Sequence, residues 1–561
     1  MDESKQIPAA GLATPFGCCA VPMQGMRPCG RSSWGAVING NHFCLMHSPS
    51  SKDADAFQQE FERILNDAGD GVADFTGFVF PSSNYDGRQF EARCLFGRAS
   101  FSGKVTFTGT TFRQKANFSY ATFEDDAYFS RATFAQGVIF AGVRFKEWAD
   151  FGVGNFAQEA DFVTATFTWT NFKRATFVDQ ANFALATFTK GRPIFREATF
   201  AGKVDFWQVK FPQGASFSSA TFAQEANFKE TRFEQEVIFW GTTFRGSTSF
   251  NEATFEREAD FRAATFEKDA DFMYARFLGA ALFRQTRFRK DTALIPGPVF
   301  SLATFSRPEE VSFYKTYLGQ ALFHNCDVSK LSFSSVEWRR RNGSGKRMVF
   351  EEDVQLECVE ALQPDEGTPD QRDFRLIAEL YQALKKNYDE RKDYWTAGDF
   401  HYGEMEMNRL SSRRKASFAR WLHRNLGLVA WYKYASQYGE SYMRPALALI
   451  GVLFLFALLF PLVGLRASPE KTAQALGGSQ LVDTVTYWHP FLPRESGRRL
   501  IPELRLLGNS CITALEIAAF QKDPAYLPTY PWGRFLALLE MVLTSILLAL
   551  FLLAVRRQFR R

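Results

Sequence analysis

No apolar run long enough to cross a membrane occurs before residue 445, and the opening MDESKQIPAAGLATPFGCC has no hydrophobic stretch behind a basic start. A cleavable secretory leader is therefore not expected there. Cysteine is scarce and scattered: of eight, four fall at positions 18, 19, 29 and 44, and the rest stand singly at 94, 326, 358 and 511. Such spacing makes no disulfide framework, and a reducing compartment suits it better. An excess of one charge is missing too, since 66 Lys plus Arg oppose 61 Asp plus Glu, interspersed to a net +5. On that balance nucleic acid is not an expected partner. Catalytic signatures are lacking as well. There is no G-x-S-x-G, no dinucleotide fingerprint and no H-E-x-x-H, and Gly343-Ser-Gly-Lys346 has Arg340 where a phosphate loop needs its first Gly and Arg347 where it needs a hydroxyl. An enzyme is not expected.

Phenylalanine is what the chain has in excess, 61 against 17 Tyr and 11 Trp. A skew toward one aromatic suggests a repeat rather than an ordinary core. From residue 101 the Phe positions run 101, 107, 112, 118, 123, 129, 134, 140, 145, 151, 156, 162 and 167. Steps of six and five alternate, so the period is eleven. It slips at Phe172 and again around Arg192 and Pro193, then resumes through Phe200, Phe206 and Phe211 to Phe288. The unit reads A-T-F-x-x-x-A-x-F-x-x. Eleven residues also fit three turns of a right-handed coiled coil. Small and β-branched residues before each Phe, many Thr and Gly, and one large apolar residue per five or six argue instead for short strands joined at tight corners.

Ala-Thr-Phe-Glu-Asp at 121–125, Ala-Thr-Phe-Val-Asp at 175–179 and Ala-Thr-Phe-Glu-Lys at 264–268 resemble the units of the pentapeptide-repeat family. The resemblance covers roughly residues 71–338 and implies a mainly β fold, a right-handed quadrilateral β-helix. It further implies that the central Phe or Leu of each five points inward, with the small residue two places earlier also facing the core. This chain departs from the family by adding a sixth residue to alternate units, so a coil is expected to hold about 22 residues, the extra one bulging at a corner. Residues 101–288 then make about eight to nine coils, a rod of roughly 40 Å that flanking coils lengthen. Each buried Phe contributes about 1.5–3 kcal/mol toward the ordering entropy of the strands. Leu318, Phe323, Val328 and Phe333 return to a strict step of five and end at Glu337-Trp338, which reads as a cap and exit. Some rods of this kind imitate the charge of DNA, but that requires a strongly acidic face, and the mixed charges here argue against it.

Residues 1–50 hold the Cys and His cluster. Cys18, Cys29, Cys44 and His47, the last two as a C-x-x-H pair, offer four ligands of the kind that zinc binds tetrahedrally. The ten- and fourteen-residue spacings are looser than paired knuckles, and Cys19 competes with Cys18, so structural zinc and unligated thiols both stay open, with a redox role behind them. Residues 51–70 are expected to form a helix leading into the solenoid, and 339–369 a linker. Residues 370–442 place apolar side chains at helical spacing, a helical connector similar to the hairpin that joins repeats to membrane segments in pentapeptide-repeat membrane proteins. His401, Glu404 and Glu406 within it read as solvated or packing residues rather than as a metal site.

Two apolar segments follow. Pro445–Leu465 is free of charge, and Phe535–Val555 is broken only by Glu540. Each spans about 31 Å as a helix, enough for a bilayer. The transmembrane helices are expected at 443–466 and 533–556, with an extracytoplasmic loop at 467–532 between them. Arg556, Arg557, Arg560 and Arg561, together with the basic run from Arg409 to Arg424, would hold both termini in the cytoplasm. The reading is thus of a multi-pass protein of a bacterial inner (plasma) membrane, a scaffold whose solenoid meets an unidentified cytoplasmic protein, with room for a homo-oligomer. A channel-like pore is the alternative. Leu504–Phe520 followed by Pro531-Trp532-Gly533-Arg534 resembles the pore-helix and inner-helix order of two-transmembrane channels, and Tyr438-Gly439-Glu440 resembles their pre-span segment. The T-V-G-Y-G filter is missing. On this alternative Thr513 and Glu516 are the loop residues of interest. Glu540 is a candidate because a carboxylate in lipid needs a partner or water, although its depth would let it snorkel.

Overall fold

An outward residue followed by an inward Phe is the minimum that a pleat allows, and most repeat units form strands of only two residues. Thr111 is half-buried on the outside while Phe112 is buried, and the same holds for Thr122 and Phe123. The computed structural model describes residue 29 and residues 36–38, 41–48, 53–290, 297–353, 374–411, 417–463, 465–467, 485–486, 501–521, 526–528 and 531–559. It separates into two units, residues 1–372 and 373–561.

Unit one is a β-solenoid of about 12 turns. Parallel strands pair one coil on, as Thr111↔Thr133 and Phe112↔Phe134 on one face and Thr122↔Arg144 and Phe123↔Phe145 on the next. The rings therefore stack in four columns. Phe112 and Phe134 stand 5.2 Å apart, Phe101 and Phe123 4.4 Å, Phe96 and Phe118 4.6 Å, and Phe107 and Phe129 4.9 Å, each pair nearly parallel. Between columns the rings meet edge to face, as Phe118 does Phe129 at 5.7 Å, an arrangement that aromatic quadrupoles favour. The small residue two places before each Phe is buried as well. Thr110, Thr231 and Thr242 at this position donate their hydroxyls to carbonyls of the preceding coil, those of Tyr85, Phe206 and Phe217.

The alternation of five and six residues builds two kinds of corner. At the shorter, the N–H three residues after Phe bonds back to that Phe, as Ala121 does to Phe118 at 3.0 Å, and the residue between sits at positive φ. That residue is seldom Gly: Arg98, Tyr120, Arg131, Val153 and Thr164 all hold φ between 55 and 59°. At the Tyr120, Val153 and Thr164 corners an Asx before the Phe compensates, whereas Leu95 and Tyr128 stand there at the Arg98 and Arg131 corners. Asn117, Asp161, Asn182 and Asp205 each accept the N–H two residues on, at 2.8–3.0 Å.

The two slips in period compensate each other. Phe151 stacks on Phe172, 21 residues on, and Phe172 on Phe195, 23 residues on, so a residue lost before Phe172 is returned at Arg192 and Pro193 on the same corner one coil later. The shortened corner runs as continuous strand. Arg144–Asp150 pairs with Thr166–Asn171 through an irregularity that sets Trp148 against Trp169.

Both ends of the ring columns are covered. Helix α1 (Ala54–Ala68), capped by Asp53, lays Phe57 and Phe61 over the first coil, with Phe61 stacked on Phe75 at 4.7 Å and 5.0 Å from Tyr85. At the far end Trp338 packs on Phe323 and Phe333. The segment read as linker from 339 begins instead as an antiparallel hairpin, Arg339–Arg340 with Arg347–Met348. It leads to a turn whose Phe350 is buried against Leu322 and whose buried Glu351 accepts the Phe323 N–H at 2.5 Å. The rest of that segment, 354–369, lies outside the described residues.

Unit two is helical. Helices α2 (Phe374–Glu390) and α3 (Tyr394–Leu410) form a hairpin in which Gly403 lets the Tyr381 ring approach. A Cβ there would meet the ring at 2.4 Å. Helices α4 (Ser417–Leu426) and α5 (Leu428–Ser436) precede α6 (Met443–Val463), then come α7 (Ile501–Ala518) and α8 (Pro531–Phe559). Helices α6 and α8 are long and apolar enough to cross a membrane. The segment expected as a loop between them contains α7, which packs on both. Ala514 lies in a cluster with Phe456, Ala457, Phe460 and Leu465, edged by Leu536 and Ala537. A small antiparallel sheet, Leu465–Ala467 with Val485–Thr486 and Tyr526–Pro528, ties the segment's ends together.

Candidate functional site

Chemistry-bearing side chains gather at three places among the described residues. The first is the N-terminal cluster. Strands β1 (Ala36–Ile38) and β2 (Asn41–Phe43) form an antiparallel hairpin that delivers the chain into a turn, with the His47 and Ser48 N–H groups both bonding to the Cys44 carbonyl. This brings Cys29, Cys44 and His47 together, their ligand atoms all within 4.8 Å of one another. Cys29 Sγ lies 3.9 Å from Cys44 Sγ, and Cys44 Sγ 3.1 Å from His47 Nδ1. His47 Nε2 lies 3.0 Å from the Thr76 carbonyl, which can only accept, so the ring proton belongs on Nε2 and the Nδ1 lone pair faces the sulfurs. The His47 ring also meets Phe78 edge to face at 4.9 Å. Cys18, the remaining expected ligand, lies outside the described residues, as does Cys19.

The second place is the apolar helix pair. Thr513 on α7 is buried, its hydroxyl donating to the Asn509 carbonyl at 2.8 Å, while Glu516 on the same helix is half-buried. Glu540 on α8 is fully buried, and neither carboxylate oxygen has a hydrogen-bond partner among the described residues. Thr544, one turn on, donates to the Glu540 carbonyl at 2.8 Å.

The third joins residues that the sequence analysis named apart, Glu406 as a solvated or packing residue and Tyr438-Gly439-Glu440 as a pre-span segment. Glu406 on α3 is buried and accepts from Arg409, from Lys433 Nζ at 2.9 Å and from the Tyr438 hydroxyl at 2.9 Å. Burial raises its pKa, but the Arg409 and Lys433 bonds and charges outweigh burial and hold the carboxyl at about 2. Two residues beyond Tyr438, Glu440 pairs with Arg557 at the end of α8 at 3.0 Å. The Tyr438-Gly439-Glu440 segment thus joins the connector helix α3 to the second apolar helix. Only the local spacing of Glu406 and Arg409 was visible in sequence; Lys433 and Tyr438 arrive from 27 and 32 residues away. His401 and Glu404 form, with Lys385, a small ion-pair group at 3.1–3.3 Å that bridges the α2–α3 hairpin.

Comparison with known families agrees with the ring columns. A family model described as "Pentapeptide repeats (9 copies)" matches residues 89–131, 107–153, 162–210, 206–254 and 239–287, all within the solenoid. The chain is a pentapeptide-repeat protein, with two apolar helices following the repeats. No match was found among curated proteins or among solved structures.

Proposed function

We propose that this pentapeptide-repeat protein is a membrane-tethered scaffold: α6 and α8 cross the bilayer, and the solenoid presents its outer faces to a cytoplasmic protein without catalysing a reaction. The filled interior carries this reading. Phe rings from Phe75 to Phe283 lie buried in the four columns, so the rod offers other molecules its outside. That outside carries both signs paired from coil to coil, Lys146 with Glu124 at 2.7 Å and Lys203 with Glu225 at 2.9 Å, a surface suited to a protein rather than to a polyanion. Arginines 556, 557, 560 and 561 support a cytoplasmic C-terminus, and with two spans a cytoplasmic solenoid, at a bacterial inner membrane.

Photo-cross-linking tests the scaffold. A photoreactive amino acid replaces Thr243, Thr254, Ser249 or Ile238, outward positions on the four faces of neighbouring coils, in the membrane-bound full-length protein. One partner attached from one face and not from the opposite face is expected; no protein adduct from any face, there or in coils further along, would remove the scaffold reading.

One observation favours a second reading, a channel-like pore. Helix α7 returns against both apolar helices, burying Ser510 and Thr513, and Glu540 is buried on α8. A buried polar constellation between apolar helices marks ion pathways in other membrane proteins.

A further inference from the structure

We infer that Cys29, Cys44 and His47 bind a structural zinc ion that seals the N-terminal end of the solenoid. Two thiolates on a tetrahedral zinc with bonds of about 2.3 Å stand about 3.8 Å apart, and Cys29 and Cys44 are separated by 3.9 Å. The Cys44 to His47 separation, 3.1 Å, is about half an ångström shorter than a shared zinc would set, so the imidazole swings outward on binding. The tautomer is already the right one. With Nε2–H committed to the Thr76 carbonyl, Nδ1 is left as the ligand atom, the second-shell arrangement that metal-bound imidazoles use. Cys44 and His47 are both buried, which suits a closed structural site rather than a catalytic one. The fourth tetrahedral position takes one further donor.

The location explains what the ion would do. A solenoid's first coil has unpaired strand edges, which invite pairing with other chains. Here the turn after Cys44 takes up that edge: the Met46 carbonyl accepts the Val79 N–H at 2.8 Å, His47 binds the Thr76 carbonyl, and both side chains are buried. The segment holding these bonds is a short hairpin and a turn, too small to order itself by burial, and metal binding supplies folding free energy to segments of that size.

The test is metal analysis of the full-length protein purified in detergent under reducing conditions, followed by cobalt exchange. One zinc per chain is expected, replaced by Co²⁺ with thiolate charge-transfer and tetrahedral ligand-field bands. Zinc should fall to background in Cys29→Ser and His47→Ala but stay in Cys94→Ser, whose thiol is buried in the solenoid wall. Far-UV circular dichroism confirms that each variant keeps its solenoid. Folded wild-type protein that neither holds nor takes up zinc, zinc retained by both ligand variants, or a Cys29–Cys44 disulfide in metal-free protein would each overturn the inference.

Discussion

Asn171 donates its side-chain amide to the Asp150 carboxylate, 2.9 Å away in the preceding coil, while its own carbonyl oxygen accepts the Lys173 N–H at 2.9 Å. One side chain thereby closes a corner and ties two coils. The same geometry recurs between Asn227 and Asp205 at 2.9 Å. Asn171→Leu removes both bonds, at a cost of about 1–2 kcal/mol. Asn171→Asp keeps the corner but sets two carboxylates together, so it should approach wild-type stability as pH falls. Urea unfolding followed by far-UV circular dichroism reads both.

Phe239 stacks between Phe217 and Phe261 at 5.1 and 4.9 Å and meets Phe250 edge to face at 5.4 Å. Phe239→Ala should cost about 3–5 kcal/mol and Phe239→Leu clearly less, because the column cannot collapse around a missing ring. The same unfolding transition measures it. A cost for Phe239→Ala below that of Asn171→Leu would mean that the columns are not the main source of stability.

Val153 holds a left-handed φ of 58°, while Gly109 fills a corresponding corner at 66° with open space where its Cβ would be. Backbone strain can therefore be measured without a clash. Gly109→Val should destabilise by about 1–2 kcal/mol, and Val153→Asn should stabilise by about 1 kcal/mol, since Asn tolerates this region.

Burial, aided by the neighbouring Glu352, pushes the Glu351 carboxyl up to about 7 against the opposing Phe323 N–H bond. In the unfolded chain it titrates near 4.5. The folded state therefore binds the extra proton between those values. Its contribution, on the order of 3 kcal/mol, is fully present below about 4.5 and is lost as pH rises through about 7. Glu351→Gln should flatten that part of the stability profile.

The ring columns were legible in the sequence because an eleven-residue period repeated over a dozen turns outweighs any local ambiguity. The corners were not. Their left-handed positions hold Arg98, Tyr120 and Val153 where Gly would have announced a turn, and the compensating signal at the last two, Asn117 and Asp150 before the Phe, hid inside an unspecified position of the repeat. The slips at Phe172 and Pro193 were visible singly, but only the stacking shows that they fall on one corner. Cys29, Cys44 and His47 were named together from their residue types and the C-x-x-H spacing, but that Cys29 meets the pair across the β1–β2 hairpin is a tertiary fact. Helix α7 was apolar enough to notice, but its return against α6 and α8 is a tertiary fact. Glu406 was read as a solvated or packing residue, and its ion-pair group was not legible because Lys433 and Tyr438 come from α5 and the turn after it.

The most direct measurement is ion flux into liposomes that contain the full-length protein, compared with empty vesicles and with vesicles holding Glu540→Gln. A tethered scaffold predicts that vesicles with demonstrably inserted protein leak no faster than empty ones. Flux above that background that changes with Glu540→Gln would contradict the account and make the helix pair a pore.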